Sequence, residues 1–180
     1  MVIKSWANLN FSTTIKYFKL HFISFKLSKQ ETDRFKVLLD YIGFDKKKDE
    51  LWVLKIDKHL KAYLLNNKFP LLFEKDNCIF PTVIAAKTFE GYYSEAMVDQ
   101  GAKPHILNGA DLMAPGILSI DLKDSSNIVV IKSEDGAVLA VGRLVKDFID
   151  SLNRKHGKVA ENIHYLNDKL YRLLALRRGS

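Results

Sequence analysis

Between residues 98 and 144 no apolar run goes far before a turn signal cuts it. The order is "HIL", "NGAD", "APG", "ILSIDL", "DSSN", "IVVIK", "SEDG" and "AVLAVGRL". Runs this short, broken this often, predict strands joined by tight turns and closed into a compact β-barrel. The stretch "VDQGAKPHILNGADLMAPGI", 98–117, holds three of the nine glycines and two of the four prolines. Asn108-Gly109 reads as a turn pair, and Pro115-Gly116 as a turn with proline at i+1 and glycine at i+2. Gly101 and Gly109 each precede an alanine, so each offers a positive φ or a close backbone approach. Asp99 and Asp111 lie beside these pairs. They could serve as acid–base carboxylates, but a carboxylate there commonly braces a turn by accepting backbone N–H bonds, and bracing is the reading we adopt.

After residue 144 the period changes. Leu144, Val145, Phe148, Ile149 and Leu152 share one helical stripe, which Gly157 ends. "ENIHYLNDKLYRLL" predicts a last strand or hairpin closing the barrel, with Asn167-Asp168 at a turn and His164 packed inside.

The first half reads differently. "FISFKL", 22–27, predicts a strand. Ser28 and Glu31 form a capping box opening a helix with Phe35, Leu38, Leu39 and Ile42 on one face and Gly43 at its end. Strands follow at 51–57, 61–67 and 68–74, with Asn66-Asn67 as a turn and Pro70 marking an edge. Pro81 sits where a first helical turn tolerates proline, leading "TVIAAKTF". The lysine run of "DKKKDE" reads as a solvated loop. The fold class expected is α+β: a basic leader at 1–21, a small N-terminal α+β domain at 22–94, and a C-terminal β-barrel at 95–178.

Composition and motifs narrow the function. A single cysteine, Cys78, excludes an internal disulfide and a Cys₂His₂ or Cys₄ zinc site. The five histidines have no ligand spacing, so no metal is expected. Glycines 101, 109 and 116 are too far apart for a phosphate-binding loop, and neither G-x-G-x-x-G nor GK[ST] occurs. Nucleophile-elbow and zinc-protease motifs are also missing. No catalysis, cofactor, small-molecule substrate or membrane partner is expected. The net charge of +7 favours a polyanion. Residues 1–90 carry 16 basic and 10 acidic groups; residues 91–180 carry 12 and 11. The first acidic residue is Glu31, after five lysines. Such a leader suits a basic tail or first strand; a mitochondrial transit peptide is the alternative, although it contains no arginine.

The pattern "VDQGA…HILNGADLMAPGI" followed by "AVLAVGRL" resembles a PUA domain, the RNA-binding module of pseudouridine synthases and archaeosine transglycosylases. With "FPTV" at 80–83 and "ENIHYLNDKLYRL" at 161–173, the chain is similar to the malignant T-cell-amplified sequence family. That resemblance implies a small α+β domain followed by a PUA domain. It also implies a non-enzymatic, cytoplasmic role on the small ribosomal subunit in initiation, reinitiation or recycling, as a heterodimer with density-regulated protein. The RNA partner would be small-subunit ribosomal RNA or tRNA. The groove carried over covers Gly101, Ala102, Lys103, Gly109, Ala110 and Asp111, with Asp99, Asn108, Pro115 and Gly116 shaping turns. Lys103, His105 and Arg143 are the candidate donors to phosphate oxygens. The alternative is an accessory subunit of an RNA-modification enzyme; the first ~97 residues are too few for a synthase or transglycosylase catalytic barrel.

Overall fold

The computed structural model describes residues 24–123 and 127–178; the leader at 1–21 lies outside them. The first half forms a five-stranded antiparallel meander: β1 (Ser24–Lys26), β2 (Leu51–Lys55), β3 (Leu60–Leu65), β4 (Phe69–Lys75) and β5 (Cys78–Pro81). Asn66 and Asn67 both take left-handed φ in the β3–β4 turn. Asp76 and Asn77 do the same between Lys75 and Cys78, which pair across the β4–β5 ladder. Two residues at positive φ match the right-handed twist of a hairpin.

The capping box is present: Ser28 N–H donates to Glu31 Oε2 at 2.9 Å, and Glu31 N–H donates to Ser28 Oγ at 3.3 Å. It starts α1 (Lys29–Thr32), which passes through a 3₁₀ turn at Asp33–Phe35 into α2 (Lys36–Tyr41). Gly43 ends α2 with φ +73°. Phe35, Leu38 and Leu39 pack on one face of the sheet against Leu51, Val53 and Leu71. The other face, through Leu54, Ala62 and Leu64, takes Ile84 and Leu174.

Two prolines sit differently from the expectation. Pro70 lies within β4, which has neighbours on both sides. It is tolerated because the β3 ladder shifts register between Tyr63 and Leu64, opposite it, and the pairing with β5 stops at Leu72. Pro81 ends β5, and Thr82 caps α3 (Val83–Thr88), its Oγ1 accepting from Ala85 N–H at 3.0 Å.

The second sheet contains β6 (Ser94–Val98), β7 (Leu112–Met113), β8 (Ile117–Asp121), β9 (Ile128–Ser133), β10 (Val138–Leu144) and β11 (Lys158–Tyr165). Its order is β7-β11-β10-β9-β6-β8, with β6 and β9 parallel and every other pair antiparallel. The sheet curls, and its two edge strands, β7 and β8, are joined by a 3₁₀ turn at Ala114–Gly116. No ladder links β7 to β8 among the described residues, so the expected barrel is a curled, partly open one.

Three further expectations are corrected. "HIL" is not a strand; it belongs to α4 (Ala102–Leu107), whose Ile106 is buried in the barrel core. The helix expected from Leu144 begins later, as α5 (Phe148–Arg154), because Leu144 is held in β10 and Val145 N–H donates to Val159 carbonyl. Lys155 at φ +50°, rather than Gly157, supplies its left-handed terminus. The closing hairpin is instead β11 followed by α6 (Lys169–Arg178), which crosses back to the first sheet.

The two sheets share a core. Phe73 and Phe80 of the first pack with Val130, Val138 and Val141 of the second. His164 is fully buried there, edge-on to Phe73 at 5.2 Å, with Nδ1 2.7 Å from Asp168 Oδ2.

Candidate nucleic-acid interface

Helix α4 is six residues long and has no side-chain cap of its own at Gly101. Helices this short do not persist in isolation, so the surrounding turns must hold it. Asp99 Oδ1 accepts from Ala102 N–H at 2.7 Å, and Asp99 carbonyl accepts from Lys103 N–H at 3.2 Å. Gly101 is helical, not left-handed. Gly116 also lacks a positive φ; its reason is proximity, since a Cβ there would meet the Ala102 Cβ at 2.8 Å. The Pro115-Gly116 pair thus forms a 3₁₀ turn packed beneath the start of α4.

The far end of α4 closes in a Schellman arrangement. Gly109 N–H donates to Ile106 carbonyl and Ala110 N–H to His105 carbonyl, both at 3.0 Å, with Gly109 at φ +87°. Asn108-Gly109 is therefore a helix terminus and not a hairpin turn. Asn162 on β11 clamps it, donating from Nδ2 to the carbonyls of Ile106 and Ala110, each at 3.0 Å. Its backbone N–H donates to Asp111 Oδ1 at 3.0 Å, and Lys158 Nζ lies 2.9 Å from Asp111 Oδ2. Burial pushes the Asp111 carboxyl up, but Lys158 and the Asn162 N–H outweigh it and hold its pKa below the usual range.

This frame presents a shelf whose outer side carries Pro104, His105, Asn108 and Ala110, all exposed, with Lys103 half-buried at one end. Lys103 Nζ is 3.8 Å from Asp135 Oδ2, and Gln100 Nε2 donates to Glu134 at 3.3 Å. The acidic turn between β9 and β10 thus stands beside Lys103.

Arg143 does not join it. Along β10, Val141 and Arg143 share the face turned to the first sheet, while Ala140 and Gly142 face the barrel core and α4. Arg143 donates to Glu161 Oε2 from Nη2 at 2.6 Å and from Nε at 3.1 Å. Its Nη1 lies 3.8 Å from Cys78 Sγ on β5. Arg143 thus lies on the side of β10 toward the first sheet, and α4, with Lys103, on the side toward the barrel core. Asn162 and Lys158, which set the shelf, carry no local motif; only the folded register brings them to Ala110 and Asp111.

Comparison with known proteins agrees with this architecture. Residues 95–166 match the PUA domain family. Malignant T-cell-amplified sequence 1-B of Xenopus laevis is 27% identical over 155 residues, covering 82% of this chain and 84% of that protein. Translation machinery-associated protein 20 of Saccharomyces cerevisiae is 31% identical over 135 residues, covering 69% and 73%. Among solved structures, a hypothetical protein from Pyrococcus horikoshii superposes with a TM-score of 0.70 at 30% identity, over 84% of this chain and 99% of that one. A conserved PUA domain protein from Thermoplasma acidophilum gives 0.66 at 33%, over 84% and 99%. With its meander, its curled second sheet and the relatives these share, the chain belongs to the family of malignant T-cell-amplified sequence 1 and translation machinery-associated protein 20, a translation-related family carrying a PUA domain.

Proposed function

We propose that this protein is a non-enzymatic, cytoplasmic translation factor that binds RNA of the small ribosomal subunit, or tRNA bound to it, with the shelf built on α4. It acts in initiation, reinitiation or recycling, with a density-regulated-type protein as partner. The observation that carries the reading is the rigid mounting of α4: both ends of a six-residue helix are tied down while its outer face is left open. A backbone shelf that is preset and uncrowded loses little entropy on meeting a ribose-phosphate chain. Lys103 supplies the charge, positioning phosphate without reading sequence.

The pairing of Lys103 with Asp135 makes the proposal testable in both directions. Lys103→Glu should weaken co-sedimentation with purified small subunits several-fold, and Asp135→Asn should strengthen it a few-fold by freeing the ammonium. Both effects should shrink as salt rises. Wild-type protein that fails to sediment with the small subunit, alone or with the density-regulated partner, would sink the reading.

A further inference from the structure

The lysine run set aside as a solvated loop does not lie alone. The loop after α2 folds back against β1 and the start of α1, and a cleft of about 460 Å³ opens between them. That is within the ~300–1,000 Å³ typical of ligand pockets. Lys26 and Lys29 line one side, and Lys46, Lys47 and Lys48 the other. They come from two stretches, 26–29 and 46–48, that the fold brings together.

Three carboxylates share the lining: Asp33, Asp49 and Glu50. Each has a task within the fold. Asp33 pairs with Lys46 at 3.2 Å, and Glu50 with Lys26 at 2.6 Å. Asp49 accepts from Asn66 Nδ2 at 2.9 Å and from Asp45 N–H at 2.9 Å, which fixes the loop. Lys29 and Lys47 have no carboxylate partner among the described residues. The Lys46 and Lys48 pairs are solvent-exposed, and such pairs contribute only ~0–1 kcal/mol, so an incoming anion can take those ammonium groups over. With Asp45, which pairs with Lys48 at 3.8 Å from beside the cleft, four carboxylates stand against five cations, and Lys29 and Lys47 are the two ammonium groups left over for anionic oxygen.

The floor decides which anion. Among the cleft's lining residues are Leu27 and Phe44, both half-buried against the core of the first sheet, so each offers only part of an apolar surface beside the cations, and Phe44 the one ring. Cations that follow a backbone, with an aromatic face for a base, are the means by which proteins hold single-stranded nucleic acid. Neither a glycine-rich loop nor a long helix N-terminus is at hand to cradle a terminal polyphosphate.

We infer that this lysine cleft is a second RNA-backbone site, separate from the α4 shelf, holding the sugar-phosphate chain of a single-stranded or looped segment. It rests on the RNA-binding function proposed above and adds a second point of attachment, on the more basic half of the chain.

The test uses the full-length protein and a fluorescein-labelled oligouridylate about 20 nucleotides long, followed by anisotropy across a salt series. Lys29→Glu/Lys47→Glu should lower affinity about ten-fold at low salt and flatten the slope of log K against log salt by about 1–2. Its melting temperature should not move, and Lys29→Arg/Lys47→Arg should bind like wild type. Lys103→Glu, measured beside it, reports on the shelf. If the cleft variant keeps wild-type affinity and slope while Lys103→Glu weakens, the cleft proposal is wrong and the shelf stands. If only the cleft variant weakens, the shelf is wrong and the cleft stands. Should the cleft variant keep its RNA affinity but lose binding to phosphatidylserine vesicles, the lysines serve a membrane surface and the proposal is overturned.

Discussion

Gly109 has two separate reasons to be glycine. Its φ of +87° is a conformation that branched side chains resist, and a Cβ there would come within 2.9 Å of the Tyr165 ring. The ring contact is with the outer end of a side chain, which can swing away; the backbone cannot. Gly109→Val should therefore cost about 2 kcal/mol, most of it backbone strain, and Gly109→Asn distinctly less, since asparagine tolerates the left-handed region. Urea midpoints of the two variants check this; equal midpoints would contradict the terminus described for α4. Gly116 is glycine for space alone. Sequence showed that these residues are special, but not which reason applies, because the neighbour that crowds each one lies in another segment. Arg143 shows the limit more sharply. Its position on a strand was legible, but the face it takes depends on which sheet lies behind β10, and that sheet is built by residues 24–81.

Helix α6 depends on one carboxylate. Asp168 caps it, with Oδ1 accepting from Tyr171 N–H at 2.6 Å, while Oδ2 accepts from Tyr165 N–H at 3.0 Å and meets His164. Burial pushes the Asp168 carboxyl up, but the His164 contact and the two backbone N–H groups outweigh it, leaving its pKa below the ordinary value. A carboxyl depressed in the folded state stabilises above its unfolded pKa of ~3.9, and that stability is lost as pH falls through the folded value. Asp168→Asn should thus be less stable than wild type at neutral pH and show a shallower loss below about pH 4. Asp168→Ala, which also removes the cap and strands a buried imidazole, should cost about 2–4 kcal/mol. Thermal melts over a pH series read both. The elements visible from sequence were those with local signals: the Ser28–Glu31 capping box, the Gly43 terminus, the Asn66-Asn67 turn. The two helices that differ from the expectation have local signals outweighed by their context. Helix α4 is capped by Asp99, but it contains a proline, is one short run among turns, and is held at its far end by Asn162 from a distant strand. Helix α6 has Asp168 at its cap and Leu170, Leu173 and Leu174 at helical spacing, but in the sequence these stand at the end of a strand-rich stretch that points to another strand.

The two sheets should unfold together. Phe73 is buried between them with Phe80, Val130, Val138 and His164 as neighbours. Phe73→Ala should cost about 3–5 kcal/mol and, in a Trp6→Phe background that leaves Trp52 as the one tryptophan, still give a single transition, with Trp52 fluorescence in the first sheet and far-UV circular dichroism of the whole chain coinciding. Two separated transitions in wild-type protein would contradict a shared core. Leu174 ties α6 to the first sheet in the same way, covering Leu54, Ala62 and Leu64 on its far side. That arrangement has a consequence during synthesis. The meander can complete its own ladders once Pro81 has left the exit tunnel, yet much of one oily side stays uncovered until α6 has cleared the tunnel in its turn. A nascent chain paused late in translation would carry its defect in the part made earliest, and a stop codon just before Leu174 would damage residues 51–65 more than the strands made last.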